Sequence, residues 1–562
     1  MFAYFITRKS VDIRCFCFAD SDTNAQPLSF LFFAVMIFIM QIEMPLYVEN
    51  AIDALRENGY DAYIVGGCVR DVLMGGEPKD WDITTDALPE QISQVFSDYR
   101  QLLHGEKYGT VTILFGDMPV EITTYRTDGE YSDNRRPDSV RFTRILRDDL
   151  SRRDFTINAL AYSRESGLVD CFGGARDLAD GMIRCVGDAR ERFGEDALRI
   201  LRALRFAARL SFKIEAQTAF AIHLLKDSLK NISYERINAE LSGILLGAAD
   251  GVAAVLSEYH DVMLVVIPEL RGRWDITVRA VTIAPPDLTL RLALLLCGPA
   301  CSYYGIDSRR LKAGADVECD SDARSLGVRN LDSRRLGAGA DGDAESDARS
   351  LSVRDLDSRR LEADAFPGPD DLYKTNYCSL ALTARDILKR LRFKNETIDN
   401  VSAIINYINA DTVSDDHMVK LLIGKIGEHN VKKLLAAQIT LAYASRYINE
   451  IVNEKSRQRG CASVSGPADV PVCAAAESFY KNLEAADRRV SDIVERGECC
   501  SLRDLKIDGR DLTALGFIPG KTSGRALWEL LVSVVKGECP NERGALMRFA
   551  ENILGETRRK DA

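Results

Sequence analysis

Up to about Cys185 this chain reads in twos, and beyond it in threes and fours. From Tyr63 onward, β-branched and aromatic runs (AYIVGG, DWDITT, GTVTILFG, PVEITTYR, SVRFT) alternate with turns and short helical stretches, the pattern of a sheet with helices against it. From FGEDALRILRALRFAARLSF the pattern is helical almost to the end. The expected class is therefore α+β: an N-terminal α/β head on a mixed sheet, followed by all-helical domains.

With 562 residues and 46% hydrophobic content, the chain can bury cores in roughly three or four domains. Its net charge of −11 excludes a protein that coats nucleic acid by overall charge, so any such contact must come from local basic patches. The 14 cysteines form no CxxC pair and no Cys/His cluster, so neither a disulfide framework nor a zinc ribbon is expected, and a cytoplasmic setting is. The apolar run LSFLFFAVMIFIM, Leu28 to Met40, is too short for a membrane span. Met40 opens an amphipathic stretch leading straight into a paired-glycine motif. We expect translation to start there, leaving residues 1–39 as an extension that is an annotation artefact; a membrane-tethered form is the alternative.

Two interruptions divide the helical part. In residues 301–365, DSRRL recurs at Asp307, Asp332 and Asp357, and SDARSL at Ser321 and Ser346, a period of 25. Too few copies and too little apolar content make a loose insertion the expected state, not a stacked solenoid. The Gly/Pro/Ser-containing stretch RGCASVSGPADVPVCAAA reads as a linker. The expected domains are a head at 40–186, a neck at 187–245, a body at 246–450 carrying the insertion, a linker at 451–476 and a tail at 477–562.

The chemistry concentrates in the head. In YIVGGCVRDVLMGGEPKDWDITT, Asp80 and Asp82 are two apart, so on an extended strand they share a face about 6 to 7 Å apart while Trp81 and Ile83 point into the core. That spacing suits magnesium, and phosphoryl transfer needs charge neutralised at both attacking and leaving oxygens. Glu121, on the strand-like run VEITTYR, is a third candidate carboxylate. Gly66 and Gly67 let backbone approach a triphosphate, and Arg70 can fork onto its oxygens. Alone, paired glycines mark ordinary turns and a DxD an ordinary strand edge; in this order and this close, they point to nucleotidyl transfer. In DLSRRDFTINALAYS, Arg153 is a candidate phosphate clamp, and Asp154 and Asn158 are candidates to hold the ribose or brace the site.

From Arg190 to Lys213 seven basic residues face three acidic ones, the local patch that the overall charge did not promise. Placed on a helix, Asp196, Arg199, Arg202 and Arg205 trace one side. Cytosine and adenine each present an amino donor beside a ring-nitrogen acceptor, and uracil and guanine the reverse. A carboxylate (Asp196) with a guanidinium (Arg199) would therefore accept C and A and leave polar groups unpaired against U and G. Arg202 and Arg205 would face phosphates or the incoming strand.

Taken in order, GGCVRD, DWD, HGEKYGTVTI, VEITTYRTDGEYSDNRRPD, RRDFTINALA and EDALRILRALRFAARLSF resemble the motifs of bacterial CCA-adding tRNA nucleotidyltransferases over about residues 40–245. The stretch SLRDLKIDGRDLTALGFIPGKTSGRALWELLVSVVKGECPNERGALM resembles their tRNA-binding tail. The resemblance implies a head, neck, body and tail, and magnesium on Asp80 and Asp82. It also implies nucleotide contacts at Gly67, Arg70 and Arg153, and base selection by Asp196 and Arg199 with Arg202 and Arg205 nearby. The implied reaction extends tRNA by C, C and A from CTP and ATP. Bacterial poly(A) polymerases typically carry an arginine-rich run after the DxD strand, where this chain reads LLHGEKYGTVTI. The loop YRTDGEYSDNRRPDSVRF resembles the one needed for the terminal A, and an A-adding partner of a split pair stays open. Some relatives carry a metal-binding HD domain after the neck; here that place reads LALLLCGPACSYYG, and His104, His223, His260, His417 and His429 do not cluster in sequence. The body is thus expected to be a scaffold without hydrolase chemistry, and an RNA-binding pseudoenzyme is the non-enzymatic alternative.

Overall fold

A computed structural model of the chain describes residues 41–103, 105–129, 139–270, 274–301, 378–410, 412, 415–458 and 472–560. The N-terminal run 1–39, nearly all of the repeat insertion, the tip of the loop expected to serve terminal A addition, and His104 lie outside them.

The head is a seven-stranded mixed sheet in the order β3-β4-β5-β2-β1-β8-β9. Its strands are β1 (Ala62–Val65), β2 (Asp82–Thr85), β3 (Arg100–Leu102), β4 (Thr110–Phe115), β5 (Met118–Thr124), β8 (Leu160–Ser163) and β9 (Gly167–Asp170). Between them β6 (Arg126–Asp128) and β7 (Val140–Phe142) pair only with each other, so SVRFT belongs to a separate two-stranded ribbon and not to the main sheet. β2 and β5 run parallel at the centre, in the register Asp82↔Glu121 and Ile83↔Ile122. Val111, Ile113, Val120, Ile122 and Ile83 are fully buried, and a slip of one residue would turn this apolar set to the opposite face. The helix Leu46–Glu57 covers the sheet with Val48, Ala51, Ile52 and Leu55, one face at helical spacing.

The DxD motif departs from its expected geometry. The strand begins at Asp82, and Asp80 sits exposed in a bend before it, so the two carboxylates share a neighbourhood but not a strand face. Trp81 and Ile83 are buried as expected.

After the head the described chain is almost wholly helical. The neck helix Leu198–Leu210 packs against Tyr234–Leu245 and Ala249–Glu258. That crossing is close because Gly247 and Gly251 lie against the Ala208 carbonyl, where a Cβ on Gly247 would be 2.6 Å from the oxygen. Asp196 is not on this helix. It ends the helix Ala189–Glu195 in extended conformation, and its side chain accepts from the Leu198 N–H at the start of the neck helix.

The described residues divide into two compact units, one taking in residues up to 301 with 379–405 and 436–482, the other 406–435 with 483–560. The expected linker, 451–476, is helical at both ends, within Glu428–Gln458 and Val472–Glu495; its middle lies outside the described residues. No helix among the described residues is long and apolar enough to cross a membrane.

Candidate active site

Strand β1 delivers the chain to Gly66, whose φ of 82° and ψ of −126° suit glycine alone. A Cβ there would stand 2.9 Å from Arg153 Nη1, so the turn is pressed against that guanidinium. Gly67 opens the helix Gly67–Leu73.

On the strand next to β1, Asp82 stands beside Glu121 with Asp80 close by. Burial first, then the charge of Glu121 with a smaller contribution from Asp80, pushes the Asp82 carboxyl up to about 6, against the opposing pull of Arg153. Oxygen donors crowded until one holds its proton fit a hard divalent cation, which relieves the repulsion a proton otherwise relieves. Among the described residues no three such side chains already stand close enough to hold a metal outright; the arrangement is an acidic cluster around Asp82.

Arg153 faces that cluster. Its Nη2 donates to Asp149 Oδ2 at 3.3 Å, and its buried Nε–H has no acceptor. An unpaired guanidinium donor in a partly buried cleft beside a glycine turn is a place for an anion.

The remaining candidates are tied to one another. Arg70 is 5% exposed and does not stand open as a phosphate fork: Nη1 donates to Asn158 Oδ1 at 2.5 Å, and Nε and Nη2 to Asp71. Asn158 Nδ2 donates to Asp154 Oδ1 at 3.0 Å, and Asp154 Oδ2 receives Nε and Nη2 of Arg202 at 2.8 and 2.6 Å. Burial works against the Asp154 charge, but Arg202 and Asn158 outweigh it and hold the carboxyl down at about 2. Asp154 and Asn158 therefore brace the head against the neck in this structure. Arg205 Nε donates to Glu240 Oε2 at 2.6 Å, and Arg70, Arg202 and Arg205 all lie over the ring of Phe206, at 5.1, 5.7 and 4.5 Å.

The expected base-reading pair is engaged as well. Asp196 Oδ2 accepts from Arg236 Nη2 at 2.8 Å and Oδ1 from the Leu198 N–H. Arg199 donates to Glu195 Oε2 at 2.7 Å and to the Arg192 and Arg152 carbonyls. Beside them Arg236 Nη1 and Arg192 Nε are buried without acceptors. Because the chain leaves the helical path at Asp196, that carboxylate turns to the Leu198 N–H and Arg236.

Sequence reasoning missed Asp149, Arg236 and Phe206, although Asp149 opens DLSRRDFTINALAYS at i,i+4 spacing from Arg153. Glu195 was legible as an i,i+4 partner of Arg199. Arg236, forty residues beyond Asp196, carried no local signal. In the body, His260 stacks on Trp274 with ring centroids 4.2 Å apart while Asp261 pairs with His223 and Lys226, so the HD dipeptide is split between two neighbourhoods.

A mixed sheet with an acidic cluster at its parallel centre, a glycine turn and an arginine facing both are the parts that a nucleotidyltransferase head requires. Residues 62–184 match the poly A polymerase head domain, 211–270 the probable RNA and SrmB-binding site of polymerase A, and 472–550 a putative tRNA nucleotidyltransferase domain 2. More particularly, the matched part of the chain is similar to curated CCA-adding enzymes, the family its motifs resemble. It is 48% identical over 203 residues to the CCA-adding enzyme of Lactococcus lactis subsp. cremoris MG1363, covering 36% of this chain and 50% of that one. It is 47% identical over 207 residues to that of Enterococcus faecalis V583, with the same two shares. The chain thus spans about half the length of the curated relatives it matches. The fold extends further: the crystal structure of Bacillus stearothermophilus CCA-adding enzyme in complex with CTP aligns with a TM-score of 0.57 at 23% identity, over 92% of this chain and all of that one. Nucleotidyltransferases of this class work with a divalent metal.

Proposed function

We propose that this chain is a template-independent nucleotidyltransferase that adds C, C and A to the 3′ end of tRNA from CTP and ATP, acting in the cytoplasm. The observation that carries the reading is the Asp82–Glu121 pair, crowded by Asp80 and faced across the Gly66 turn by Arg153 with a buried, unsatisfied N–H.

In the proposed reaction the tRNA 3′ hydroxyl gives up its proton to solvent as its oxygen forms a bond to the α-phosphorus, the bond from that phosphorus to the bridging oxygen breaks, and pyrophosphate leaves with the electron pair. Asp80 and Asp82, with Glu121 beside them, would hold Mg²⁺, which when bound supplies charge neutralisation at the transferring phosphate. Gly66 and Gly67 let the backbone come close to the triphosphate. Arg153 offers its free donors to the phosphates, while Arg70, Asn158, Asp154 and Arg202 fix the wall behind it. Base choice falls to Asp196 and Arg199, which exchange Arg236 and Glu195 for the pairing edge of cytosine or adenine, with Arg202 and Arg205 alongside. The tail would hold the tRNA.

The test is incubation with tRNA lacking its last three nucleotides, with CTP alone, ATP alone and both, followed by sequencing of product ends. CC from CTP alone and CCA from both supports the reading. A single A on tRNA ending in CC with no C addition would replace it by an A-adding enzyme, a long A tail on arbitrary RNA by a poly(A) polymerase, and no extension by an RNA-binding protein.

A further inference from the structure

We propose that Asp149 is a positioning residue for nucleotide transfer, a buried carboxylate that locks the phosphate-facing Arg153 to the strand bearing Asp82. The inference rests on the proposed function and deepens it, since none of the sequence motifs singles out this residue.

Asp149 is completely buried, yet groups from three parts of the head converge on it. Thr84 Oγ1, two residues along β2 from Asp82, donates to Oδ2 at 3.1 Å. The Arg126 N–H, at the start of the β6–β7 ribbon, donates to Oδ1 at 3.4 Å. From its own helix end, Arg152 donates to Oδ1 through Nε at 2.9 Å and Arg153 to Oδ2 through Nη2 at 3.3 Å. Arg152 in turn offers its carbonyl to Arg199 Nη2 at 3.2 Å, so the same carboxylate reaches the base-reading helix at one remove.

A buried carboxylate is costly unless its charge is met. Here burial acts to raise its pKa, and Arg153 and Arg152 outweigh it, so Asp149 stays ionised below the ordinary carboxylate range. The geometry uses that charge in a specific way. By holding Nη2 of Arg153, Asp149 turns Nη1 toward the Gly66 turn and leaves Nε unpaired. An arginine anchored at one nitrogen presents the others at a fixed place; the same arginine unanchored samples many rotamers, and a displacement of about 1 Å at a transferring phosphate costs on the order of 100-fold in rate.

The experiment compares the full-length wild type with Asp149→Asn, Thr84→Val, Arg153→Lys and the double variant Asp149→Asn/Arg153→Lys. Initial rates are measured for ATP on tRNA ending in CC, CTP binding by calorimetry without tRNA, and melting temperature. Asp149→Asn is expected to lower kcat about 30- to 100-fold, with KM for ATP changed less than about 5-fold and CTP binding weakened about 5-fold. In the Arg153→Lys background it is expected to add less than about 3-fold, because the two act as one unit. Thr84→Val leaves both ion pairs intact and so tests the proposal where Asp149→Asn fails to fold; it should lower kcat about 3- to 10-fold with a melting temperature lowered by only a few degrees. Unchanged kcat in soluble Asp149→Asn, full additivity with Arg153→Lys, or a Thr84→Val effect confined to melting would overturn the inference while leaving CCA addition standing. A wild type that neither binds CTP nor extends tRNA would overturn the underlying reading, and this one with it.

Discussion

At the scale of single residues, Asp82 is the group whose environment says most. Its carboxyl is raised from 3.8 to about 6, by burial first and then by Glu121. Between those values the unfolded chain has lost the proton that the native state still holds, so in metal-free protein this group's contribution to stability falls as pH rises through that window and levels off above it. The melting temperature of metal-free wild type relative to Asp82→Asn is expected to fall over the same range, and added divalent cation to reverse the fall at pH 7 but not at pH 5. The apparent metal affinity in the transfer assay should rise nearly tenfold per pH unit below about 6, because the proton and the cation compete for one site. Asp82→Asn should reduce transfer at least 1,000-fold at pH 7.5, on the order of the loss of a principal transition-state group. Transfer by that variant within tenfold of wild type would remove the carboxylate from the reaction.

At the scale of elements, two close approaches depend on glycine in a way no other side chain could replace. The Gly66 turn combines a positive φ with a Cβ position already occupied by Arg153. Gly66→Ala therefore strains the backbone and displaces the guanidinium together, and we expect a melting temperature lowered by several degrees and transfer lowered more than about 100-fold. In the neck, a Cβ on Gly243 would run into Arg205 Cδ and lie 2.9 Å from its Cγ, breaking the seat in which Glu240 holds Arg205. Gly243→Ala is expected to cost about 1 to 3 kcal/mol in denaturant unfolding, as overpacking does. Gly66 belongs to GGCVRD, whereas Gly243 sits in ELSGILLG, a stretch that looks unremarkable. What makes Gly243 necessary is an arginine thirty-eight residues earlier, and no local pattern reports such a pair.

At the scale of the whole molecule, the head is anchored from Ile42 onward: that side chain is 2% exposed and its N–H donates to Tyr162 Oη at 3.2 Å. A chain beginning at Val48, which lacks the buried Ile42 and its bond to Tyr162, is expected to melt several degrees below the full sequence. In the other compact unit, Arg488 and Arg496 stand 76% and 65% exposed beside Lys420, around a cleft that Asp416, Asp492 and Glu498 also line. If the tail holds tRNA, Arg488→Glu with Arg496→Glu should raise KM for tRNA about tenfold, lessen its salt dependence, and leave KM for CTP unchanged. A change in KM for CTP alone would place these arginines in another role.

The sequence by itself determined the period of each segment, and with it the α/β head, the helical remainder and the strand faces that bury Ile83, Val111 and Ile122. It also determined which residue types were present for phosphate chemistry, because Gly66–Gly67, Asp80–Asp82 and Arg153 lie within short motifs whose spacing has a direct physical meaning. Only the tertiary structure decided how those residues are used. It began the strand only at Asp82 and left Asp80 in the bend before it, closed Arg70 against Asn158 and Asp71, took Asp196 off the helix to meet Arg236, and put Asp149 beneath Arg153. Arg70 with Asn158 and Asp196 with Arg236 join partners 88 and 40 residues apart, and a periodicity of two or 3.6 residues carries no information about which distant charge a buried one will meet; Asp149 lies within i,i+4 reach of Arg153, but nothing local shows that it is buried under strand β2.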